Sequence, residues 1–214
     1  QFELKGEIMS TIKLQYGKED YQLIGRESCF EGFFRMEKVT LKHRLFDGGW
    51  SREVSRELFI RGDATCVIPY DPMEDKVVLL EQFRPGAILE DQSPWLLELV
   101  AGMNDEGEHP ENVARREAQE EARLELGELE KICEYLVSPG GTTEKVYLYC
   151  AKVSVQGVGG VFGLAEEDED IKVHCLDFEA AYKLVENGTI NNAAAIMGLQ
   201  WLALNRERLR EQWR

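Results

Sequence analysis

The 214-residue chain lacks long apolar runs, and it lacks any stripe of basic residues. No run approaches the roughly 18 apolar residues that a membrane span needs, so we expect no membrane partner. The net charge of −15, from 40 acidic and 25 basic residues, offers no cationic surface for counterion release, which argues against nucleic acid as a partner. An anionic substrate would therefore have to be bound by a metal ion and by local arginines, against the overall field.

Paired cysteines are missing as well. The cysteines are odd in number, widely spaced and mostly inside apolar runs: Cys29, Cys66, Cys133, Cys150 and Cys175. This spacing does not suit a zinc site, and it favours reduced, buried thiols in a cytosolic protein. The first residues carry no signal-peptide core, so we expect a cytoplasmic protein.

Alternation and turn signals predict strands interspersed with three helices, and the hydrophobic content of 43% is that of a globular protein. The predicted strands are residues 21–25, 33–45, 51–60, 64–70, 76–84 (the antiparallel partner of 64–70), 95–100, 131–137, 145–153 and 171–176. The predicted helices are residues 110–124, 177–187 and 191–213, and residues 157–163 are expected to form a glycine-rich loop. Strands mixed with helices, without regular βαβ alternation, indicate an α+β fold. Residues 1–61 would form an N-terminal β-hairpin lobe, and residues 62–214 the main domain.

The helix predicted from Pro110 carries the most informative charge pattern of the chain. Proline suits the first helical position, and Glu117, Glu120 and Glu121 follow at i, i+3 and i+4, so three carboxylates share one face. Each like-charge pair costs roughly 0.2–0.5 kcal/mol, and clustered oxygen ligands suit hard cations such as Mg²⁺ or Mn²⁺. The alternative is a solvated acidic face, neutralised within the helix by Arg115, Arg116 and Arg123.

The spacing around this helix resembles the Nudix box. The matching positions are Gly102, five residues, Glu108, seven residues, Arg116-Glu117-Ala118, one residue, Glu120-Glu121, two residues (Ala122 and Arg123) and Leu124. Nudix proteins typically hydrolyse a nucleoside diphosphate linked to another moiety, using divalent cations held by the box glutamates. The resemblance therefore implies a Nudix fold, a mixed β-sheet between helices. One position departs: Arg123 stands where the family usually has a glycine that ends the helix, so we expect a reshaped loop there.

Features outside the box resemble the bacterial Nudix enzymes that cleave ADP-ribose. Pro139 lies fifteen residues beyond Leu124 (139 − 124), in a Ser-Pro-Gly-Gly-Thr stretch that would otherwise be an ordinary turn. The hairpin lobe, Arg56-Glu57 ahead of Gly62, and Glu-Gln-Phe-Arg-Pro at 81–85 point the same way. The resemblance covers roughly residues 30–213. It implies Mg²⁺-dependent hydrolysis of ADP-ribose to AMP and ribose 5-phosphate, with Mn²⁺ as a substitute, by a homodimer whose N-terminal lobes contact the substrate.

The resemblance also assigns roles to individual residues. It implies that Glu117, Glu121, Glu169 and the backbone carbonyl of Ala101 are metal ligands. Glu120 would assist in metal binding, and Arg116 would orient the glutamates. The acidic run at 165–170 follows a glycine-rich stretch, and although most charge runs are solvated loops, this one suits a mobile lid. Its Glu167 would be the general base, and Glu120 is the rival.

Substrate contacts would come from Phe33 and Arg56 at the adenosine end, from Arg84 at a phosphate, and from Met103 and Ser138. Guanidinium groups suit phosphate recognition and stack on bases, although a single arginine is more often a surface charge. Two other functions stay open: hydrolysis of another nucleotide sugar such as GDP-mannose, and non-catalytic binding of ADP-ribose. The intact Glu117, Glu120 and Glu121 argue against the second.

Overall fold

The computed structural model describes residues 12–89, 91, 93–164 and 168–214. Within it the chain divides into two compact units. The first contains Gln1–Arg61 and Gly140–Thr142, and the second contains Gly62–Pro139 and Thr143–Arg214.

The first unit is a three-stranded antiparallel sheet. Its strands are β1 (Tyr21–Glu31), β2 (Arg35–His43) and β3 (Val54–Ile60), in the order β1-β2-β3. The predicted hairpin is thus present as β2 and β3, but the strand predicted at 21–25 is too short. β1 runs on to Glu31, and all eleven of its residues are exposed, so no burial pattern marks its second half in the sequence. Residues 140–142 extend this unit, because the Phe59 N–H donates to the Gly141 carbonyl at 2.8 Å.

The second unit is built on one mixed sheet with the order β10-β11-β5-β4-β9-β8. Its strands are β4 (Ala64–Asp71), β5 (Lys76–Phe83), β6 (Trp95–Glu98), β7 (Val100–Met103), β8 (Leu129–Leu136), β9 (Lys145–Lys152), β10 (Gly160–Phe162) and β11 (Ile171–Asp177). β4 and β9 are parallel, whereas the other pairs are antiparallel. The prediction of an α+β fold with a mixed sheet is therefore confirmed. The glycine-rich stretch at 157–163 is not only a loop, because β10 pairs with β11 there.

Helices cover both faces of this sheet: α1 (Pro110–Ala122), α2 (Phe178–Glu186) and α3 (Ala193–Gln212). Successive strand residues point to opposite faces, so Val67 packs with α1 while Ile68 packs with α2 and α3. α1 ends where Arg123 adopts φ 54°, the left-handed conformation that a glycine would take. Arg123 therefore takes the backbone conformation expected of the glycine, and Leu124 is still buried in the core, at 3% exposure. Among the described residues, no helix is long and apolar enough to cross a membrane.

A split between β4 and β5 shapes the centre of the sheet. The two strands were expected to pair along their length, yet they pair only at Tyr70–Val77 and Asp71–Lys76. Beyond that point β6 pairs with β5 and β7 pairs with β4. The single strand predicted at 95–100 is therefore two strands, separated at Leu99. Leu99 is 1% exposed and packs into the α3 side of the core, close to Gly198, at the point where the chain changes partner.

Candidate active site

The box helix α1 lies close to the sheet because its inward face is small. Ala114, Ala118 and Ala122 are buried on that face, and His109 caps the helix just ahead of Pro110. Glu121 is turned to the same side and is only 2% exposed, which is unusual for a carboxylate. α1 therefore directs acidic side chains at β7.

Two backbone positions on β7 receive these carboxylates. The Ala101 N–H donates to Oε2 of Glu121 at 3.0 Å. At Gly102 a Cβ would stand 1.7 Å from Oε1 of Glu117, so only glycine leaves room for that carboxylate. The change from β6 to β7 at Leu99 thus brings Ala101-Gly102 against the acidic face of α1.

Burial makes both carboxylates difficult to ionise. It raises the pKa of Glu121 to about 9, opposed by the Ala101 N–H and reinforced by the charges of Glu117 and Glu169. It also raises the pKa of Glu117 to about 7, opposed by Arg116. Glu169 lies within electrostatic range of both, and its Oε2 accepts from the Leu164 N–H at 3.2 Å.

These residues fit a hard divalent cation. A cation would favour the ionised form of two buried carboxylates, and carboxylate and carbonyl oxygens are the ligands it prefers. Within the described ranges, no three acidic, histidine or cysteine side chains are already gathered for a metal ion. Instead Glu117 is paired with Arg116, and Glu121 with a backbone N–H. The assignment of Glu117, Glu121, Ala101 and Glu169 as ligands stays a prediction.

Arg116 connects the box carboxylates to one another. Its Nη1 lies 2.6 Å from Oε1 of Glu117 and 3.2 Å from Oε2 of Glu120. Its Nη2 lies 3.2 Å from Oε2 of Glu108 and donates to the Met103 carbonyl at 3.3 Å. The hydrogen bond from Arg116 lowers the pKa of Glu108. Glu108 was a box position without a predicted role, and the structure makes it the third carboxylate on Arg116.

Arg84 is ion-paired with Glu98 and acts through its charge on Glu121. Its Nε is 2.7 Å from Oε2 of Glu98, and its charge lowers the pKa of Glu121 against the larger effect of burial. Glu98 was not predicted to be part of the site. The signal was present only as a carboxylate in an otherwise apolar strand, three residues before Ala101.

Two of the remaining predicted residues, Phe33 and Arg56, belong to the first unit. Phe33 is in the first unit, 89% exposed, with its ring edge-on to Phe34 at 4.7 Å. In that unit Arg61, which sequence reasoning missed, stands over the Phe34 ring at 5.3 Å, whereas Nη1 of Arg56 donates to the carbonyl of its neighbour Ser55. Ser138 is exposed in the second unit, in the β8–β9 connection. Glu167 falls outside the described residues.

A cavity of about 610 Å³ lies away from these groups, at the C-terminal end of α1. Asp71, Leu126, Val153 and Phe162 are among the residues that line it, and no predicted site residue does. Its size alone does not make it the reaction site, because the perturbed carboxylates are at Ala101-Gly102.

A buried carboxylate pair on a loop–helix segment against a mixed sheet is the arrangement expected of the Nudix class, and the comparisons agree. The family model described as the NUDIX domain matches residues 60–197. The chain belongs to the Nudix family. A solved structure titled "Crystal structure of ADP compounds hydrolase" shares the fold, with a TM-score of 0.67 and 21% identity, over 90% of this chain and 96% of that chain.

Curated relatives are similar over nearly the whole chain. The ADP-ribose pyrophosphatase of Escherichia coli (strain K12) is 46% identical over 203 residues, covering 95% of this chain and 97% of that protein. The ADP-ribose pyrophosphatase of Haemophilus influenzae is 45% identical over 209 residues, covering 96% of each. The GDP-mannose pyrophosphatase of Yersinia pestis is 35% identical over 181 residues, covering 84% of this chain and 89% of that protein.

Proposed function

We propose that this chain hydrolyses the pyrophosphate bond of ADP-ribose, giving AMP and ribose 5-phosphate, and that it requires Mg²⁺, with Mn²⁺ as a substitute. The buried carboxylates Glu117 and Glu121 beside Ala101-Gly102 carry the proposal, because burial raises the pKa of both and a bound cation would favour their ionised forms. The 46% identity to an ADP-ribose pyrophosphatase, against 35% to a GDP-mannose pyrophosphatase, supports ADP-ribose as the substrate.

In this proposal the chain holds and orients the reacting groups. Glu117, Glu121, Glu169 and the Ala101 carbonyl hold the cation, and Arg116 keeps the box carboxylates in register through its three ion pairs. A divalent cation held by these residues would polarise phosphoryl oxygens and activate a water molecule. The diphosphate is bound by Arg84, with further substrate contacts from Met103 and Ser138 and, at the adenosine end, from Phe33 and Arg56.

The general base in this proposal is Glu167 rather than a box residue. Carboxylates on a metal ion are stabilised in their ionised form and are poor proton acceptors, which disfavours Glu117 and Glu121. The charge of Glu169 acts on both Glu117 and Glu121, and Glu167 precedes Glu169 by two residues in the sequence. Glu120, which is paired with Arg116 at 3.2 Å, is the alternative base.

We further propose a cytoplasmic homodimer. The exposed strand β1, with Tyr21, Leu23 and Phe30 at 51–62% exposure, supports an association between copies, since unpaired strand edges are prone to pair. The five cysteines, all free in the described residues, support a reducing compartment.

A nucleotide-sugar panel tests the function. The protein is incubated with ADP-ribose or GDP-mannose, with Mg²⁺ or with EDTA, and the phosphate released from the products by added phosphatase is measured. We expect ADP-ribose with Mg²⁺ to give the highest kcat/KM and EDTA to abolish it. Faster turnover of GDP-mannose would favour the second substrate, and Mg²⁺-dependent binding of ADP-ribose without turnover would favour a non-catalytic module.

A further inference from the structure

Arg84 is held by hydrogen bonds both at its backbone and at its guanidinium. Its backbone follows β5 directly and is fixed by an N–H bond to the Pro94 carbonyl at 2.9 Å. Its guanidinium is fixed by Glu98, whose Oε2 accepts from Nε at 2.7 Å. Among the residues that the structure describes, no hydrogen bond engages Nη1 or Nη2 of Arg84. Glu98 therefore leaves free the two nitrogens that a phosphate group would use.

Glu98 is placed to hold this geometry rigidly. It is the last residue of β6, in register with Leu80 of β5, and its side chain is 17% exposed. Leu99, the next residue, is the point at which the chain changes to β7 and leads to Ala101. One short segment of backbone thus places both the partner of Arg84 and the backbone at the carboxylate site.

The electrostatic influence of the pair reaches the site. Burial and then the Glu98 charge raise the pKa of the Cys66 thiol to about 12, and the Arg84 charge opposes them. Cys66 pairs with Ala101 in the sheet. Arg84 also lowers the pKa of Glu121, against the effect of burial. The charge of Arg84 therefore acts on Glu121, one of the carboxylates that would hold the cation, while its guanidinium is bonded to Glu98.

A purely structural role does not account for this ion pair. Glu98 and Arg84 connect strands that are already joined by the β5–β6 ladder, from Leu80–Glu98 to Phe83–Trp95. Arg84 is 42% exposed, and an ion pair of that exposure adds little to stability. A carboxylate close to a diphosphate site would also repel the substrate unless a cation neutralised it.

We propose that Glu98 is a positioning residue, which turns the guanidinium of Arg84 so that its two terminal nitrogens face the diphosphate of the substrate. The proposal rests on the proposed function for its substrate, although the geometry of the pair does not depend on it. Glu98 does not touch the substrate and acts through Arg84 alone.

A double-mutant cycle tests this role with Glu98→Ala, Arg84→Ala and the double variant. We expect Glu98→Ala to lower kcat/KM for ADP-ribose about tenfold, mostly through KM, and to have no further effect once Arg84 is absent. Glu98→Gln keeps an oxygen acceptor and should recover most of the loss. The matched control is Glu130→Ala, which removes a carboxylate held by Arg208 at 2.7 Å on β8. If Glu98→Ala lowers kcat/KM by the same factor in the unmodified protein and in Arg84→Ala, the proposal is overturned.

Calorimetric binding of inorganic pyrophosphate gives a readout that needs no turnover. The affinity of the protein for pyrophosphate should fall about tenfold in Glu98→Ala and by the same factor in Arg84→Ala. The double variant should bind pyrophosphate no more weakly than either single variant. Unchanged affinity in Glu98→Ala, or no binding to the unmodified protein, would overturn the positioning role. Absence of ADP-ribose hydrolysis in the unmodified protein would instead contradict the proposed function, while the pyrophosphate cycle still decides the role of Glu98.

Discussion

Gly102 has no side chain, and the carboxylate of Glu117 occupies the space where one would begin. The distance of 1.7 Å between an added Cβ and Oε1 of Glu117 is impossible for real atoms, so a larger residue would displace the carboxylate. Glu121 is held at the neighbouring position by a hydrogen bond from the Ala101 N–H. At the residue scale the site therefore depends on two backbone positions as much as on the acidic side chains.

We predict that Gly102→Ala moves Glu117 off its position and lowers kcat for ADP-ribose by about 10², the usual effect of a displacement near 1 Å. The fold should remain, because Glu117 lies at the rim of the core. Gly17→Ala is the control, since an added methyl there meets no atom within 4 Å. Kinetics and circular dichroism on both variants check this, and an active Gly102→Ala would show that the placement of Glu117 is unimportant.

The choice of general base gives a second prediction at this scale. Glu167→Gln should lower kcat by about 10²–10⁴ with little change in KM or in Mg²⁺ dependence, as for a positioned acid–base group. Glu120→Gln should have a smaller effect, because it removes only the ion pair with Arg116 and not the base. Kinetics at saturating Mg²⁺ compare the two. Near-normal kcat for Glu167→Gln beside a collapse for Glu120→Gln would place the base on α1.

The element that matters most is α1, because it carries two carboxylates with raised pKa values on its inward face. A carboxyl whose native pKa is raised binds more protons in the folded than in the unfolded state. Stability therefore falls as pH rises from the unfolded pKa towards the folded one. For Glu117 this window ends at about 7, and for Glu121 at about 9.

We predict that the protein in EDTA melts at progressively lower temperature as the pH is raised from about 5 to about 9, the window given by these two groups. Glu121→Gln should flatten most of this dependence, since a neutral amide keeps an acceptor for the Ala101 N–H. The control is Glu111→Gln, an exposed residue in the first turn of α1. Thermal unfolding at each pH checks this, and identical pH dependence in both variants would contradict the burial argument.

Helices and strands can be predicted from the sequence where residues close together in the chain determine them. Pro110 and the spacing of the glutamates locate α1 and its acidic face, because both depend on residues within a few turns. The break at Leu99 has no local turn signal, since the residues around it are apolar apart from Glu98, and Leu99 packs close to Gly198, which is distant in sequence. The second half of β1 also could not be predicted, because all of its residues are exposed and no alternation of buried and exposed residues marks it as a strand. Glu98 and Arg61 escape prediction because their partners lie on other parts of the chain.

At the scale of the whole molecule, the proposed homodimer has a direct test. If the first unit of one copy completes the site of another, Arg56→Ala and Glu121→Gln subunits should each be inactive alone and regain activity when mixed and refolded together. A random mixture would contain sites with both intact residues, so about a quarter of full activity is the expected scale. Mixing two batches of Glu121→Gln is the control. No recovery, while sedimentation shows that both variants dimerise, would contradict shared sites.

The central claim is that the carboxylates on α1 support cleavage of ADP-ribose between its phosphates. The most direct measurement is ³¹P NMR of ADP-ribose during incubation with the protein and Mg²⁺, beside Glu121→Gln and the control Glu111→Gln. We predict that the diphosphate signals are replaced by equal signals of AMP and ribose 5-phosphate, at the same rate with Glu111→Gln and at least about 10²-fold more slowly with Glu121→Gln. Unchanged ADP-ribose, or equal rates with both variants, would contradict the account.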